Sequence, residues 1–71
     1  MDKQTAHAII IKVNKKCRIP KENLILKKQS DKNWEIQTGK MLQEKEWLYL
    51  EEIISNYGLR IKLADNLIRI Y

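Results

Sequence analysis

The chain of 71 residues contains no Phe, one Pro, two Gly and one Cys. A single cysteine excludes a disulfide within the chain, which is typical of proteins from a reducing compartment. No apolar run approaches the ~18 residues of a membrane span, and the first residues lack the apolar core of a signal peptide. We therefore expect a cytoplasmic protein with no membrane partner.

Groups that perform catalysis are scarce as well. His7 is the only histidine, and neither it nor Cys17 has a third orienting group in the sequence to complete a nucleophilic arrangement. No Cys/His cluster offers zinc ligands, and the two glycines are isolated, so a glycine-rich phosphate loop is missing. We predict a protein that is not an enzyme, with no catalytic residue, no metal site and no cofactor.

Cys17 allows two interpretations. Lys15, Lys16 and Arg18 surround it in the sequence, and nearby cations lower the pKa of a thiol. Alternatively, Cys17 is a small residue at the end of a strand.

The composition is that of a small folded domain. Hydrophobic residues make up 44% of the chain and charged residues 32%, a balance that favours folding over disorder. A chain of this length suffices for one domain, which buries only about 60% of its unfolded surface. We predict a single domain over residues 1–71, with a disordered N-terminus at residues 1–6.

Strand patterns dominate the first half of the chain. Five of the six residues 8–13 are apolar and four of them are β-branched, which is typical of a strand buried on much of both faces. Residues 24–28 and 34–38 flank a polar turn and predict a hairpin. Residues 38–40 predict another turn, and residues 41–43 either extend the sheet or lead into a helix.

Residues 46–58 predict a helix. At about 100° per residue, five of its apolar side chains share one side: Trp47, Leu50, Ile53, Ile54 and Tyr57. Glutamates in its first half suit the helix dipole, and Gly58 predicts a C-terminal cap.

A second hairpin is predicted after the helix. Residues 59–63 and 67–71 each alternate apolar and polar side chains around a turn at 64–66. This alternation directs four apolar side chains toward a core, namely Ile61, Leu63, Ile68 and Ile70. The basic side chains and Tyr71 then point outward.

Together these segments predict a small single α+β domain, a mostly antiparallel sheet with one packed helix in the order β-β-β-α-β-β. One helix leaves the second face of the first strand uncovered. A homodimer that pairs sheets or edges would cover it, so we include a homodimer among the expected partners.

The formal charge of +5 is unevenly distributed. Residues 1–40 carry ten basic and four acidic side chains, whereas residues 41–71 carry four basic and five acidic ones. Such asymmetry favours a nucleic acid or an acidic protein as partner. The candidate contacts are Lys12, Lys15, Lys16, Arg18, Lys21, Lys27, Lys28, Arg60, Lys62 and Arg69.

Three further residues are candidate contacts with a partner. Tyr71 offers an aromatic ring on which a base can stack. Leu48 and Tyr49 lie outside the main apolar stripe of the predicted helix, so they are expected to be exposed unless a partner covers them.

These patterns predict a small basic binding protein that contacts a polyanion through its N-terminal loop and hairpin. Nucleic acid is the preferred candidate for this polyanion. No helix-turn-helix, zinc finger or strand with paired aromatics is present to specify the nucleic acid. The alternative is a protein-interaction module or inhibitor, of phage or mobile-element type, that binds an acidic surface of a host protein.

Overall fold

The computed structural model describes residues 1–39 and 42–71. Its elements in chain order are helix α1 (Lys3–Cys17), a short 3-10 turn (Lys21–Asn23), strands β1 (Ile25–Ser30) and β2 (Asn33–Gly39), helix α2 (Glu44–Asn56), and strands β3 (Ile61–Ala64) and β4 (Leu67–Ile70). The α+β class with an antiparallel sheet is confirmed. The predicted order was wrong in its first element, because the chain runs α-β-β-α-β-β.

The segment 8–13, predicted to be a strand, lies within helix α1. Ile9, Val13 and Cys17 recur at helical spacing and are buried, whereas Ile11 is 56% exposed. A strand would have placed Ile9 and Ile11 on the same face. The preference of β-branched residues for strands is a weak prior, and packing of the buried stripe against α2 and β2 overrides it.

The N-terminal residues 1–6, predicted to be disordered, begin the fold instead. The Asp2 carboxylate caps α1 by accepting a hydrogen bond from the backbone N–H of Thr5 at 2.7 Å. The backbone N–H of Trp34 donates to the carbonyl of Met1 at 2.7 Å. These bonds tie the segment both to the helix and to the sheet.

The four strands form one antiparallel sheet in the order β1-β2-β4-β3. Both predicted hairpins are present, β1 with β2 and β3 with β4. Their second strands meet at the centre of the sheet, where Ile36 pairs with Ile70. Since each helix precedes one hairpin, the order αββ occurs twice along the chain.

The segment between β2 and α2 is described only in part. Gly39, predicted to lie in a turn, ends strand β2. Lys40 and Met41, which the predictions for residues 38–40 and 41–43 included, lie outside the described residues. Glu46 Oε1 accepts a hydrogen bond from the backbone N–H of Gln43 at 2.8 Å, which satisfies one donor at the start of α2.

The predicted glycine cap ends α2. Gly58 has a φ of 63°, in the left-handed region that only glycine enters without strain. Its N–H donates to the Ser55 carbonyl at 3.1 Å, and the N–H of Leu59 donates to the Ile54 carbonyl at 2.9 Å. This pair of bonds is the Schellman motif, and it satisfies two carbonyls that the helix end leaves open.

One apolar core joins both helices to one face of the sheet. Ile9 of α1, Leu50 of α2, and Ile36 and Ile70 of the two central strands are all 0% exposed. Leu63, predicted to face the core, is 54% exposed because it lies on edge strand β3. No element of the described ranges packs on the other face of the sheet, hereafter the open face.

Candidate nucleic-acid interface

The side chains of the open face follow from strand alternation. Because Ile36, Ile68 and Ile70 point into the core, the residues next to them along each strand point away from it. The open face therefore carries a group of polar and aromatic side chains: Lys27, Glu35, Gln37, Arg60, Lys62, Arg69 and Tyr71.

The strand register brings these residues together from distant parts of the chain. Lys27 is paired with Glu35 across β1 and β2, and Arg69 is paired with Gln37 on one side and Lys62 on the other. The C-terminal hairpin extends one pair further, because Arg60 and Tyr71 exchange two backbone hydrogen bonds of 2.8 and 2.9 Å. The face thus collects cations from three strands.

At its centre lies an ion pair between Glu35 and Arg69. The guanidinium donates from Nε to Glu35 Oε2 at 2.7 Å and from Nη2 to Oε1 at 2.8 Å. Gln37 Nε2 adds a third bond to Oε2 at 2.8 Å. Glu35 is only 2% exposed, so these donors replace the water that a carboxylate would otherwise hold.

The bidentate contact fixes the charge of both partners. Hydrogen bonds from Arg69 hold the pKa of Glu35 below its ordinary value, against the opposing effect of burial, and Gln37 and the nearby charge of Lys62 act in the same direction. The same hydrogen bonds raise the pKa of Arg69. Glu35 and Arg69 therefore form a neutral unit in which two hydrogen bonds hold the guanidinium against the carboxylate.

Three exposed cations remain after this neutralisation. Lys27, Arg60 and Lys62 are all exposed, and no ion pair within the described residues engages them. A shallow hollow next to them is lined in part by Lys62, Arg69 and Tyr71, and Tyr71 is 39% exposed. The open face thus combines a net positive charge with an accessible aromatic ring.

The cations of the N-terminal region do not belong to this face. Lys12 was predicted at the end of a strand, and Lys15 and Lys16 in the N-terminal loop that follows it. All three instead occupy the exposed surface of helix α1. Because α1 packs on the core face, these lysines lie on the opposite side of the sheet from the open face. The ten predicted cations therefore form at least two separate surfaces.

The remaining predicted cations lie in other places. Arg18 is the C-cap of α1, with a φ of 56°, and Lys21 begins the 3-10 turn. Lys28 alternates with Lys27 and so points to the helical side of the sheet, where its Nζ is 3.8 Å from Asp31. Exposed surface pairs of this kind contribute little to stability.

Leu48 and Tyr49 are exposed, as their position off the apolar stripe predicts. Leu48 is 60% exposed and Tyr49 is 42% exposed. Tyr57, which the same stripe placed in the core, is also 40% exposed. The outer surface of α2 and its C-terminal end thus carry exposed apolar side chains.

Cys17 is a buried packing residue. It is 1% exposed, and its Sγ lies 3.5 Å from the Glu46 carbonyl oxygen as a weak donor. Burial, and then the charge of Glu46, raises the pKa of the thiol. Of the two interpretations of this residue, the small structural side chain fits the structure, although it lies at the end of a helix and not of a strand.

Sequence reasoning missed Glu35 and Gln37 as members of the site. The alternation of residues 34–38 does place both on the polar side of their strand. Glu35 bonds to Arg69 across 34 positions in sequence, and Gln37 is paired with Arg69 across the strands, so only the β2–β4 register brings them together.

Comparison with known proteins adds no assignment: no family model matches the chain, and no curated protein or solved structure shows a significant match. Within residues 1–39 and 42–71, neither helix is long and apolar enough to cross a membrane. The same described part of the chain holds no group of three or more His, Cys, Asp or Glu side chains placed to bind a metal ion.

Proposed function

We propose that this protein binds nucleic acid, without catalysis, through the open face of its sheet. The observation that carries the proposal is that Lys27, Arg60 and Lys62 share with Arg69 a sheet face that no described element covers. Cations on such a surface neutralise phosphates and release their counterions.

The dimensions of the face suit a nucleic-acid backbone. Lys27 lies on edge strand β1 and Lys62 on edge strand β3, three strand spacings away. At about 4.8 Å per spacing, the two edges are about 14 Å apart. A single strand that crosses the sheet therefore meets cations from both edges.

Tyr71 favours a single-stranded ligand. Stacking of one base on an aromatic ring contributes about 1–3 kcal/mol in single-strand binding proteins and tolerates any sequence. The ring adjoins the hollow that Lys62 and Arg69 line, so a base and its phosphate have contacts side by side. We expect binding with little sequence preference, because the face offers few groups placed to read base edges.

The test compares binding after removal of these cations. In the sheet variant, Lys27, Arg60 and Lys62 are each replaced by Gln, and Arg69 is kept because it stabilises Glu35. Fluorescence anisotropy measures binding of labelled single-stranded DNA and RNA between ~50 and ~200 mM salt. We expect at least a tenfold loss of affinity at the lower salt concentration. The slope of log K against log salt becomes shallower by about 0.7 for each lost phosphate contact.

A matched control removes the same number of charges from the other side of the molecule. In the helix variant, Lys12, Lys15 and Lys16 are replaced by Gln. We expect it to bind nearly as tightly as the unmodified protein. An equal loss in both variants would show that only net charge matters and would overturn the assignment to the open face.

Replacement of Tyr71 by Leu separates stacking from charge. We expect weaker binding to single strands with an unchanged salt slope, because no phosphate contact is lost. If the unmodified protein binds neither DNA nor RNA at ~50 mM salt, the proposal fails. An acidic protein surface then becomes the better candidate for the partner of these cations.

A further inference from the structure

The two helices carry opposite charges. Helix α1 contains four lysines and no acidic residue, whereas α2 contains four glutamates and one lysine. Both pack on the same side of the sheet, so their outward surfaces form one layer, hereafter the helical layer. Half of this layer is basic and the other half is acidic.

Each half has an exposed aliphatic side chain at its middle. Ile11 is 56% exposed and lies about 200° around α1 from the buried Ile9, so it points away from the core. A surface depression connects it with Lys12 and Lys15. The apolar surface of α1 is therefore bordered by positive charge.

The corresponding side chain of α2 is Leu48. It is 60% exposed and lies about 200° around the helix from the buried Leu50. Three of its neighbours on the helix surface are acidic: Glu44 lies four residues before Leu48, and Glu51 and Glu52 lie three and four residues after it. The apolar surface of α2 is therefore bordered by negative charge.

Within the described residues, the charges of α1 and α2 form no ion pair with each other. The ion pairs among the described residues are Lys28 with Asp31 and Arg69 with Glu35, and neither joins α1 to α2. Of the α1 lysines, Lys3 instead lies 5.2 Å from the ring centre of Trp34, and Lys12 lies 5.8 Å from that of Tyr57.

The helices lie side by side and antiparallel, so the direction of a twofold axis decides which helices of two facing layers meet. The end of α1 at Cys17 contacts Glu46 at the start of α2, whereas Lys12 approaches Tyr57 at its end. A twofold axis parallel to the helices, placed between two facing layers, sets α1 of each copy over α2 of the other. Every basic surface then faces an acidic one, and the two contacts are identical.

We propose that a second copy of this chain binds to the helical layer in this way, with the basic surface of α1 of each copy, which includes Ile11, on the acidic surface of α2 of the other, which includes Leu48. The occupant is a second copy because a single patch on the same molecule supplies both complementary halves. Charge complementarity selects this orientation, since like charges would meet in the reversed one.

The contact area predicts a weak dimer. Helices of 15 and 13 residues are about 22 and 20 Å long, and each is about 10 Å wide. Their joint footprint of about 420 Å² lies below the ~800 Å² that each partner of a stable complex buries. We therefore expect dissociation constants in the micromolar range, and tighter association at low salt.

Charge reversal gives a sharp test, with sedimentation velocity as the measurement. The acidic-layer variant carries Lys12→Glu and Lys15→Glu, and the basic-layer variant carries Glu51→Lys and Glu52→Lys. Each variant alone is expected to be monomeric, because the reversed charges on one helix then have the same sign as the charges exposed on the other, and α1 of one copy repels α2 of the other. An equimolar mixture of the two is expected to form a heterodimer, because complementarity is restored.

A control reverses two charges on the open face, with Lys27→Glu and Lys62→Glu, and is expected to dimerise like the unmodified protein. Circular dichroism verifies that every variant is folded, and recovery of association in the mixture excludes misfolding as the cause of the loss. The proposal is overturned if the unmodified protein stays monomeric at several hundred micromolar. It is also overturned if single variants still associate, or if the mixture stays monomeric.

Discussion

Replacing Glu35 by Gln tests the role of the ion pair at the centre of the open face. The substitution keeps the size of the side chain and removes its charge. One amide oxygen can still accept a hydrogen bond, but the amide NH₂ group then faces donors of Arg69 or Gln37. At least one of the three original bonds is therefore lost in a position that is 2% exposed.

The size of the effect follows from these contacts. A hydrogen bond to a charged group contributes a net ~1.5–3 kcal/mol. Because Arg69 is about one-third exposed and regains water, we reduce the expected loss of stability for Glu35→Gln to ~1–2 kcal/mol. For a domain of this size, each kcal/mol lowers the melting temperature by about 4–8 °C, which gives a fall of roughly 5–15 °C at neutral pH.

The pH dependence identifies the cause. Since Arg69 lowers the folded-state pKa of Glu35 below its unfolded value, the stabilisation is fully present above about pH 4.5. It is lost as the pH falls through the folded-state pKa. The melting temperatures of the variant and the unmodified protein should therefore converge as the pH falls below about 4.5 and through the folded-state pKa of Glu35.

Asp2 provides an internal control for this experiment. A hydrogen bond from the Thr5 backbone lowers the pKa of Asp2 as well, so both proteins lose stability in acid from this source. The contribution of Asp2 therefore cancels when the melting temperature of the variant is subtracted from that of the unmodified protein. Thermal melts followed by circular dichroism at several pH values give the result. A difference that stays constant with pH, or no difference at pH 7, would refute the stabilising role of the ion pair.

Three further experiments test the fold. In chemical denaturation, Ile9→Ala should lower the free energy of unfolding by ~2–4 kcal/mol, and Ile11→Ala by less than ~0.5 kcal/mol. A helix buries the first side chain and exposes the second, whereas a strand would place both on one face. Equal losses would therefore indicate a strand. Gly58→Ala should cost ~1 kcal/mol, because φ at this position is 63° although no atom lies within 4 Å of an added Cβ. The Cys17 thiol, buried and with a raised pKa, should react with a thiol reagent only as fast as the protein opens, and rapid labelling of the folded protein would contradict its placement.

Local signals in the sequence were sufficient for the hairpins and for helix α2. The turn residues between β1 and β2, and between β3 and β4, favour tight reversals regardless of the rest of the fold. Gly58 marks the end of α2 because its left-handed conformation is a property of one residue. Features of this kind depend on a few neighbouring residues, so one sequence reveals them.

Helix α1 could not be recognised from its most prominent feature. The run of three isoleucines at residues 9–11 favours a strand by intrinsic preference. The opposing signals were present: Asp2 stands at an N-cap position, and Ala6, Val13 and Cys17 continue the helical spacing of Ile9. Packing against α2 and β2 decides between the two, and packing is a property of the whole fold.

The candidate site was predictable only in part. Alternation along the C-terminal hairpin correctly grouped Arg60, Lys62 and Tyr71 on one side, because strand period is a local property. These residues share one sheet face with Lys27 only because the two hairpins join in the order β1-β2-β4-β3. No local sequence pattern predicts this order. The separation of Lys12 from them likewise follows from the unexpected helix.

The twofold occurrence of the αββ order has a consequence for assembly of the chain. One edge of β2 and of β4 pairs with the other strand of the same hairpin, and their remaining edges pair with each other. Either αββ unit alone would therefore leave one strand edge unpaired, at Ile36 or at Ile70. On one chain the two edges meet at an effective concentration in the millimolar range. We expect two peptides, cut between Gly39 and α2, to stay unstructured separately and to fold when mixed, by fragment complementation.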